Sequence, residues 1–410
     1  MKRLFTLAAF FVSIGLQAQI VTGFDGEHHT GGSTEITNVD FPADLSNVSQ
    51  ILMHVSLDCP SGGCDPWDRF ASLKVDLGWQ DIEIGRYVTP YGNSWCDWTI
   101  DVTEYREFLS GNTDLTSHIE TWENGWLINT SFEFIAGTPD YPHISVQNLW
   151  TEYDFTYGDT VFYSINLPEQ TVEIPANAEE VIFRIVNTGH GQGNTENAAE
   201  FSQKTHAIKV NGSTEFTQFL WKDDCNANPC SPQGGTWQFA RAGWCPGQDV
   251  QPDDYDITSL VTPGQTATLD YVLEPFLNEC SPWNIDCEDG VTCTACNYNS
   301  NGHTTPHYKI VGQLIVKSGS PLPSAVSEVE RDLGLLVYPN PTVNGGPLNI
   351  QMNKDEAFSA SVFDLSGKQL ISKPLKGKFN TLGISELSAG IYLVRIQNET
   401  FNITKKVIIN

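Results

Sequence analysis

Between about residue 20 and residue 318 one local pattern repeats: a short run of Val, Ile, Phe, Tyr and Thr, then a cluster of Gly, Asn, Asp or Pro. Gln50–Leu57, Ser72–Leu77, Ser131–Ala136, Glu180–Val186, Lys204–Val210 and Lys309–Lys317 are clear examples. Branched and aromatic side chains suit a pleated, half-buried surface, and the clusters between them supply turn backbones. Apolar and polar residues alternate within Glu180–Val186 and Ile310–Val316. No long helical periodicity competes, and only Val102–Ser110 reads as a short helix. The chain is therefore expected to be all-β, and many short strands with turn signals imply sandwiches or jelly rolls. So long a stretch exceeds what one eight-stranded sandwich needs. Two are expected, 20–153 and 154–318, divided in the polar, turn-rich Tyr153–Asp159.

The two ends read differently. Residues 1–19 place Lys2 and Arg3 before an apolar run from Leu4 to Leu16 and close on small Ala18, the pattern of a signal peptide. The run is shorter than the roughly 20 residues a membrane span needs, and no later stretch reaches that length. Ser318-Gly-Ser-Pro-Leu-Pro-Ser324 opens a linker, 319–334, whose small residues and prolines favour extended chain. A small all-β unit, 335–410, follows. Its Val337-Tyr-Pro-Asn-Pro341, Phe363-Asp-Leu-Ser-Gly367, Leu387-Ser-Ala-Gly-Ile-Tyr-Leu393 and Lys405-Lys406-Val407 resemble the C-terminal sorting domain of the type IX secretion system. That resemblance implies a β-sandwich serving as an address, read by the type IX machinery. It also implies export across the outer membrane, with release or attachment at the cell surface.

Charge narrows the partners. A formal net charge of −28 leaves no positive footprint for a phosphate backbone, and disfavours anionic membrane surfaces. A neutral sugar remains an acceptable ligand. Ten cysteines suit an exported chain, in which disulfides persist. Cys59 with Cys64 would close a tight loop, and Cys225 with Cys245 a larger one. Zinc is the competing reading for Cys287, Cys293 and Cys296. Asp286, Glu288 and Asp289 make calcium conceivable, but no regular ligand spacing supports it. No metal or other cofactor is expected, and Cys280–Cys296 is read as a disulfide-knotted loop.

The chemistry-bearing stretch is Asp58-Cys-Pro-Ser-Gly-Gly-Cys-Asp-Pro-Trp-Asp-Arg-Phe-Ala71. It ends in an indole, a carboxylate and a guanidinium side by side, Trp67-Asp68-Arg69. An indole covers an apolar sugar face, a guanidinium donates hydrogen bonds and a carboxylate accepts a proton. Alone, such a neighbour pair is usually a surface or structural ion pair. The longer order of motifs is more specific: Phe41-Pro-Ala-Asp44, Glu83-Ile-Gly-Arg-Tyr-Val-Thr-Pro-Tyr91, Ile100-Asp-Val-Thr103, Glu120-Thr-Trp122, Gly137-Thr-Pro-Asp-Tyr141, Thr205-His-Ala-Ile208 and Arg241-Ala-Gly-Trp-Cys-Pro-Gly247. Together, from about residue 30 to 318, they resemble the peptide-N-glycosidase F family.

The resemblance implies two adjacent eight-stranded antiparallel jelly rolls with the site in the cleft between them. It implies a monomer that hydrolyses the bond between the innermost N-acetylglucosamine and asparagine of N-linked glycoproteins or glycopeptides. Carried over motif by motif, Asp68 is the principal catalytic carboxylate, with Glu120 and Glu200 as further catalytic candidates. Trp67, Arg69, Trp122, His190, Arg241 and Trp244 are substrate-binding candidates, the indoles as flat faces for the chitobiose core. Three carboxylates in one cleft cannot all ionise cheaply, so at least one should hold its proton. The chain departs from the family where two bridging cysteines flank the second glutamate: Ala198 and Ser202 stand there, and Phe201 replaces an indole. Six cysteines, Cys96, Cys230, Cys280, Cys287, Cys293 and Cys296, have no family partner, and their pairing is not deducible. The rival readings are a catalytically silent carbohydrate-binding protein on the same scaffold and a copper monooxygenase. Only His28-His29 are adjacent among nine histidines, so the copper ligand pattern is missing.

Overall fold

The protein is described by a computed structural model covering residues 18–78, 80–92, 96–159, 167–281, 296, 304–322, 333–340, 342, 346–364, 368–398 and 400–409. The signal peptide, apart from its last two residues, lies outside these, as do Cys287, Cys293 and the acidic residues between them.

The chain forms two compact units, the larger spanning Met1–Lys74 and Glu83–Leu322 and the smaller Val75–Ile82 and Pro323–Asn410. The larger unit contains two sandwiches. In the first, β1 (Gln19–His29), β8 (Trp126–Ala136), β3 (Val48–Asp58) and β6 (Cys96–Asp101) form one sheet in that order. The facing sheet runs β5 (Asp81–Val88), β4 (Phe70–Asp76), β7 (Gly111–Ile119) and β2 (Thr34–Phe41). The second sandwich starts with β9 (His143–Thr156). One sheet is β10 (Gln170–Glu173), β16 (Thr266–Val272), β12 (Lys204–Val210) and β13 (Ser213–Leu220). The other is β15 (Asp253–Asp256), β11 (Glu180–His190), β17 (His307–Ser318) and β9. A short strand from the second half, β14 (Gln248–Asp249), pairs with β5 of the first sandwich. Each sandwich is thus eight-stranded among the described residues, its paired strands antiparallel, as the family resemblance implied. The helix expected at Val102–Ser110 is a single 3-10 turn, Thr103–Tyr105.

Strand β3 buries every second residue on average, Ile51, Met53, Val55 and Leu57, the signature of a sheet with one covered face. By contrast, Val181–Gly189 of β11 and Tyr308–Val316 of β17 are buried without interruption. Their sheet is covered on both faces, by its own partner sheet and by the β5–β4 sheet of the first sandwich. The seam is apolar in places, where Val88, Val186, Trp244, Val250 and Val311 cluster, and polar in others. Arg86 donates to the Lys309 carbonyl at 2.6 Å, and Gln313 to the Glu83 carbonyl at 3.1 Å. A disulfide from Cys96 to Cys230 ties the two halves covalently.

Two expected boundaries fall elsewhere. The division at 153/154 would cut β9, which pairs with β17 from His143 to Thr156, so the change of sandwich lies at the turn before His143. The linker does not begin as free chain. Gly319 donates to Glu179 at 2.8 Å and Asn177 to the Ser320 and Pro321 carbonyls, while Leu322 packs on the second core. The smaller unit buries Leu333 beside Leu335, so its core starts before 335. It contains seven strands among the described residues, in sheets of three and four, from Leu336–Tyr338 to Asn402–Ile409.

Candidate active site

The loop between β3 and β4 is organised by Asp65, a residue the sequence reading passed over. It is fully buried, and its carboxylate accepts from the Trp67 amide at 2.9 Å, Arg69 Nε at 2.6 Å and Thr121 Oγ1 at 2.6 Å. One buried carboxylate receiving these donors forces the chain from Cys64 to Phe70 into a tight turn. The Cys59–Cys64 disulfide closes the preceding loop. Thr89 fixes the far side, accepting from the Arg69 amide at 2.8 Å and donating its own amide to the Arg69 carbonyl at 2.8 Å. The turn leaves Trp67 56% exposed and holds Asp68 at 13% side-chain exposure. Arg69, held by Asp65, lies 4.6 Å over the Trp122 ring, which is itself 69% exposed.

Across the seam stands Arg241, fully buried. Its Nε donates to Glu200 Oε1 at 2.9 Å and its Nη2 lies 3.8 Å from Asp68 Oδ2. The rest of the guanidinium is held by the Phe239 carbonyl (2.7 Å), Thr236 Oγ1 (2.9 Å) and the Tyr91 hydroxyl (3.4 Å). One cation therefore serves two carboxylates in a largely dry place. Burial raises the Asp68 carboxyl above the usual range against the pull of Arg241, and burial also raises Glu200, with Asp68 adding to the rise.

Glu200 has no disulfide staple, yet its backbone is clamped. Its amide donates to the Gly191 carbonyl at 3.1 Å and its carbonyl accepts from the Ala242 amide at 2.9 Å, between fully buried Ala198, Ala199 and Ala242. Lys204 pairs with Glu196 at 2.6 Å and Ser202 donates to the same carboxylate at 3.3 Å. Small residues at 198 and 202 admit this packing. Gly243 turns the Arg241-Ala-Gly-Trp stretch at φ +85°, where an added Cβ would sit 2.5 Å from the Asn187 carbonyl oxygen.

Glu120 follows β7, its amide bonded to the Phe70 carbonyl at 2.9 Å and its side chain one-third exposed. Lys309, another residue missed from sequence, approaches it at 3.5 Å and Asp154 at 2.6 Å. A lysine inside the apolar run of β17 was the available signal, since a buried charge requires a partner.

Three sequence candidates sit deeper than expected. Trp244 is only 3% exposed and its indole donates to the Gly189 carbonyl at 2.8 Å, so it supports Arg241, whose guanidinium lies 4.9 Å over its ring, and offers no face to a sugar. Arg241, enclosed, holds carboxylates and is not open to sugar hydroxyls. His190 stacks between Trp244 and His307 and contacts Thr188 Oγ1 at 2.9 Å. Its burial holds the imidazole well below its usual pKa, hence neutral. Trp67 and Trp122 are exposed, while the Arg69 side chain is 14% exposed. A cavity of about 740 Å³ opens elsewhere on the seam, beside Glu104, Arg184, Asp254 and Lys317, and Asp68, Glu120 and Glu200 do not line it. Arg184 there is paired with Glu104 and Asp254, and Lys317 with Glu104 and Glu180.

Disulfides join Cys59–Cys64, Cys96–Cys230, Cys225–Cys245 and Cys280–Cys296. Cys296 is therefore no zinc ligand, its sulfur being covalently bound to Cys280.

This geometry agrees with known proteins. The chain is 34% identical over 260 residues to peptide-N(4)-(N-acetyl-beta-D-glucosaminyl)asparagine amidase F of Elizabethkingia miricola, covering 58% of this chain and 71% of that protein. The chain belongs to the peptide-N-glycosidase F family. Residues 157–295 match the peptide-N-glycosidase F C-terminal family model, and residues 336–410 the secretion system C-terminal sorting domain. The solved structure of PNGase F from Flavobacterium meningosepticum superposes with TM-score 0.64 at 27% identity, covering 75% of this chain and 97% of that one. PNGF-II, at 14% identity and TM-score 0.57, covers 74% of this chain and 65% of its own length, and shares the fold. The sorting domain marks this peptide-N-glycosidase F family member as a secreted or cell-surface protein, and no helix among the described residues is long and apolar enough to cross a membrane.

Proposed function

We propose that the chain hydrolyses the amide bond between the innermost N-acetylglucosamine and asparagine of N-linked glycoproteins or glycopeptides. The observation that carries this reading is one buried guanidinium, Arg241, shared by Asp68 and Glu200 at the open end of the seam. Two carboxyls both raised by burial and held beside each other favour sharing one proton, which leaves one to act as base and the other as acid. Family membership supplies the substrate class.

In the proposed reaction Asp68 takes a proton from water as its oxygen attacks the amide carbon. The carbon–nitrogen bond breaks, Glu200 gives its proton to the departing nitrogen, and the pair then re-equilibrates its protons. Water is thereby split between the two products: asparagine becomes aspartate and the glycan leaves as a glycosylamine. Arg241 is a positioning residue that orients both carboxylates. Trp122 and Trp67 cover the apolar faces of the first sugars, and Glu120 accepts hydrogen bonds from them. The carbohydrate-binding alternative is disfavoured, because binding alone does not call for two carboxylates enclosed around a buried cation.

The test is glycan release from a denatured N-glycoprotein by the mature chain, followed by mass spectrometry of the former glycosylation site. The wild type converts asparagine to aspartate there. Asp68→Asn loses activity by about a hundredfold or more, the usual worth of a positioned general base. A folded wild type that binds glycopeptide but leaves every asparagine glycosylated overturns the amidase reading.

A further inference from the structure

Lys309 lies at a place where a lysine is expensive to keep. It sits in β17 with its side chain 4% exposed, between the Phe70 ring, 4.8 Å from Nζ, and the Tyr153 ring at 6.0 Å. Its backbone is pinned, the carbonyl accepting from Arg86, which is in turn held by Glu83 at 2.8 Å. A buried ammonium must be paired. Yet the two carboxylates that meet it are not buried: Glu120 is 32% and Asp154 64% exposed. A purely structural lysine would be satisfied by enclosed acceptors. This one reaches from the second sandwich to carboxylates that face outward.

The geometry is asymmetric. Nζ is 2.6 Å from Asp154 and 3.5 Å from each oxygen of Glu120. Asp154 makes the short contact from a backbone at φ +60°, a conformation disfavoured for an L residue, where the β9–β17 register slips between Tyr308 and Ile310. The irregular backbone aims Asp154 at Lys309 and so fixes where the ammonium stands. Facing both Glu120 oxygens at the limit of hydrogen bonding, the ammonium orients the carboxylate electrostatically and leaves its oxygens free to accept other donors. The carboxylates thus fall into two groups, Asp68 and Glu200 around Arg241, Glu120 and Asp154 around Lys309. No ion pair joins the groups among the described residues.

We propose that Lys309 is a positioning residue for substrate recognition: seated by Asp154, it holds the Glu120 carboxylate across the seam in the orientation that receives hydrogen-bond donors of the innermost sugar. The inference rests on the amidase reading, in which Glu120 contacts that sugar.

The test is a double-mutant cycle on the mature enzyme, with kcat and KM for a glycopeptide and the unfolding midpoint of each variant. Lys309→Met is expected to lower kcat/KM by about ten- to a hundredfold, chiefly through KM. Added to Glu120→Gln it lowers kcat/KM by less than about threefold further, because the group it acts through is already changed. A folded Lys309→Met with wild-type KM overturns the proposal, as does an equal loss in both backgrounds. Asp154→Asn, an exposed and gentler change, decides the matter if Lys309→Met does not fold. It should raise KM in the wild-type background and not beside Glu120→Gln, and an unchanged KM in the first background overturns the proposal. A wild type without activity sinks the amidase reading itself, whereas an active wild type with an indifferent Lys309 sinks only this inference.

Discussion

Glu200 shows how one proton can be placed by burial. Enclosed beside Asp68, its carboxyl is raised to about 8 despite the guanidinium it touches. Below that pH it is the carboxyl that donates. Glycan release should therefore fall as pH rises through about 8, and the two carboxyls should titrate as a pair. Stability follows the same sign. A folded-state value above the unfolded one means that this group's contribution is complete below the ordinary glutamate range and is lost as pH rises through about 8. Glu200→Gln cannot transfer a proton, so kcat drops, and whatever rate remains loses that alkaline limb. A pH profile of kcat/KM for both proteins checks this, and an unchanged limb in Glu200→Gln assigns it to another group. Trp122 makes the opposite kind of prediction. Exposed, with Arg69 over one face, it can be truncated without opening the core. Trp122→Ala should raise KM by about five- to thirtyfold, the equivalent of about 1–2 kcal/mol of ring contact, with the unfolding midpoint unchanged.

The loop between β11 and β12 is held by a buried lysine. Lys204, 5% exposed, holds Glu196 at 2.6 Å and lies 3.7 Å from Glu274, while its ammonium sits 4.6 Å over the Phe276 ring. Lys204→Met leaves the two glutamates facing each other without their cation. Because Glu196 is half exposed the destabilisation should be modest, about 1–2 kcal/mol by denaturant unfolding, with kcat falling more than KM worsens as Glu200 loses its fixed position. Elements of this kind were the least legible in the sequence. Strands such as Lys204–Val210 announce themselves because side-chain chemistry and period agree along a few neighbours. Asp68, Glu120 and Glu200 became candidates through motif order, not through local physics, and the structure brings Asp68 and Glu200 together at Arg241. What neighbours could not reveal was depth. Trp244 and Trp122 are the same residue type beside equally suggestive partners, yet one is enclosed by the other sandwich and the other is open to solvent. Lys309 was overlooked for the same reason, since its partners Glu120 and Asp154 are distant in the chain.

At the scale of the molecule, the proposed catalytic site and the sorting unit rest on different cores. One cluster of buried side chains runs from Leu149 to Val316 in the second sandwich, and another from Leu333 to Ile409 in the sorting unit, each complete within its own segment. Function should be separable accordingly, but the position of the cut matters. Ending the chain at Ser318 removes Ser320 and Pro321, whose carbonyls accept from Asn177, and Leu322, which packs on the second core. Such a truncation leaves Asn177 with Ser318 Oγ alone of these acceptors and an apolar patch uncovered, and its unfolding midpoint should lie below that of the same unit ended after Leu322. The longer truncation should keep the kcat/KM of the mature chain, since Asp68, Glu120, Glu200, Arg241 and Lys309 all belong to the larger unit. Expressed in a host with the type IX machinery, it should remain inside the outer membrane while the full chain reaches the outside. Fractionated activity assays separate the outcomes: external activity from the truncated chain would remove the sorting unit's role, and lost activity in the purified truncated protein would show that catalysis depends on the unit argued here to be only an address.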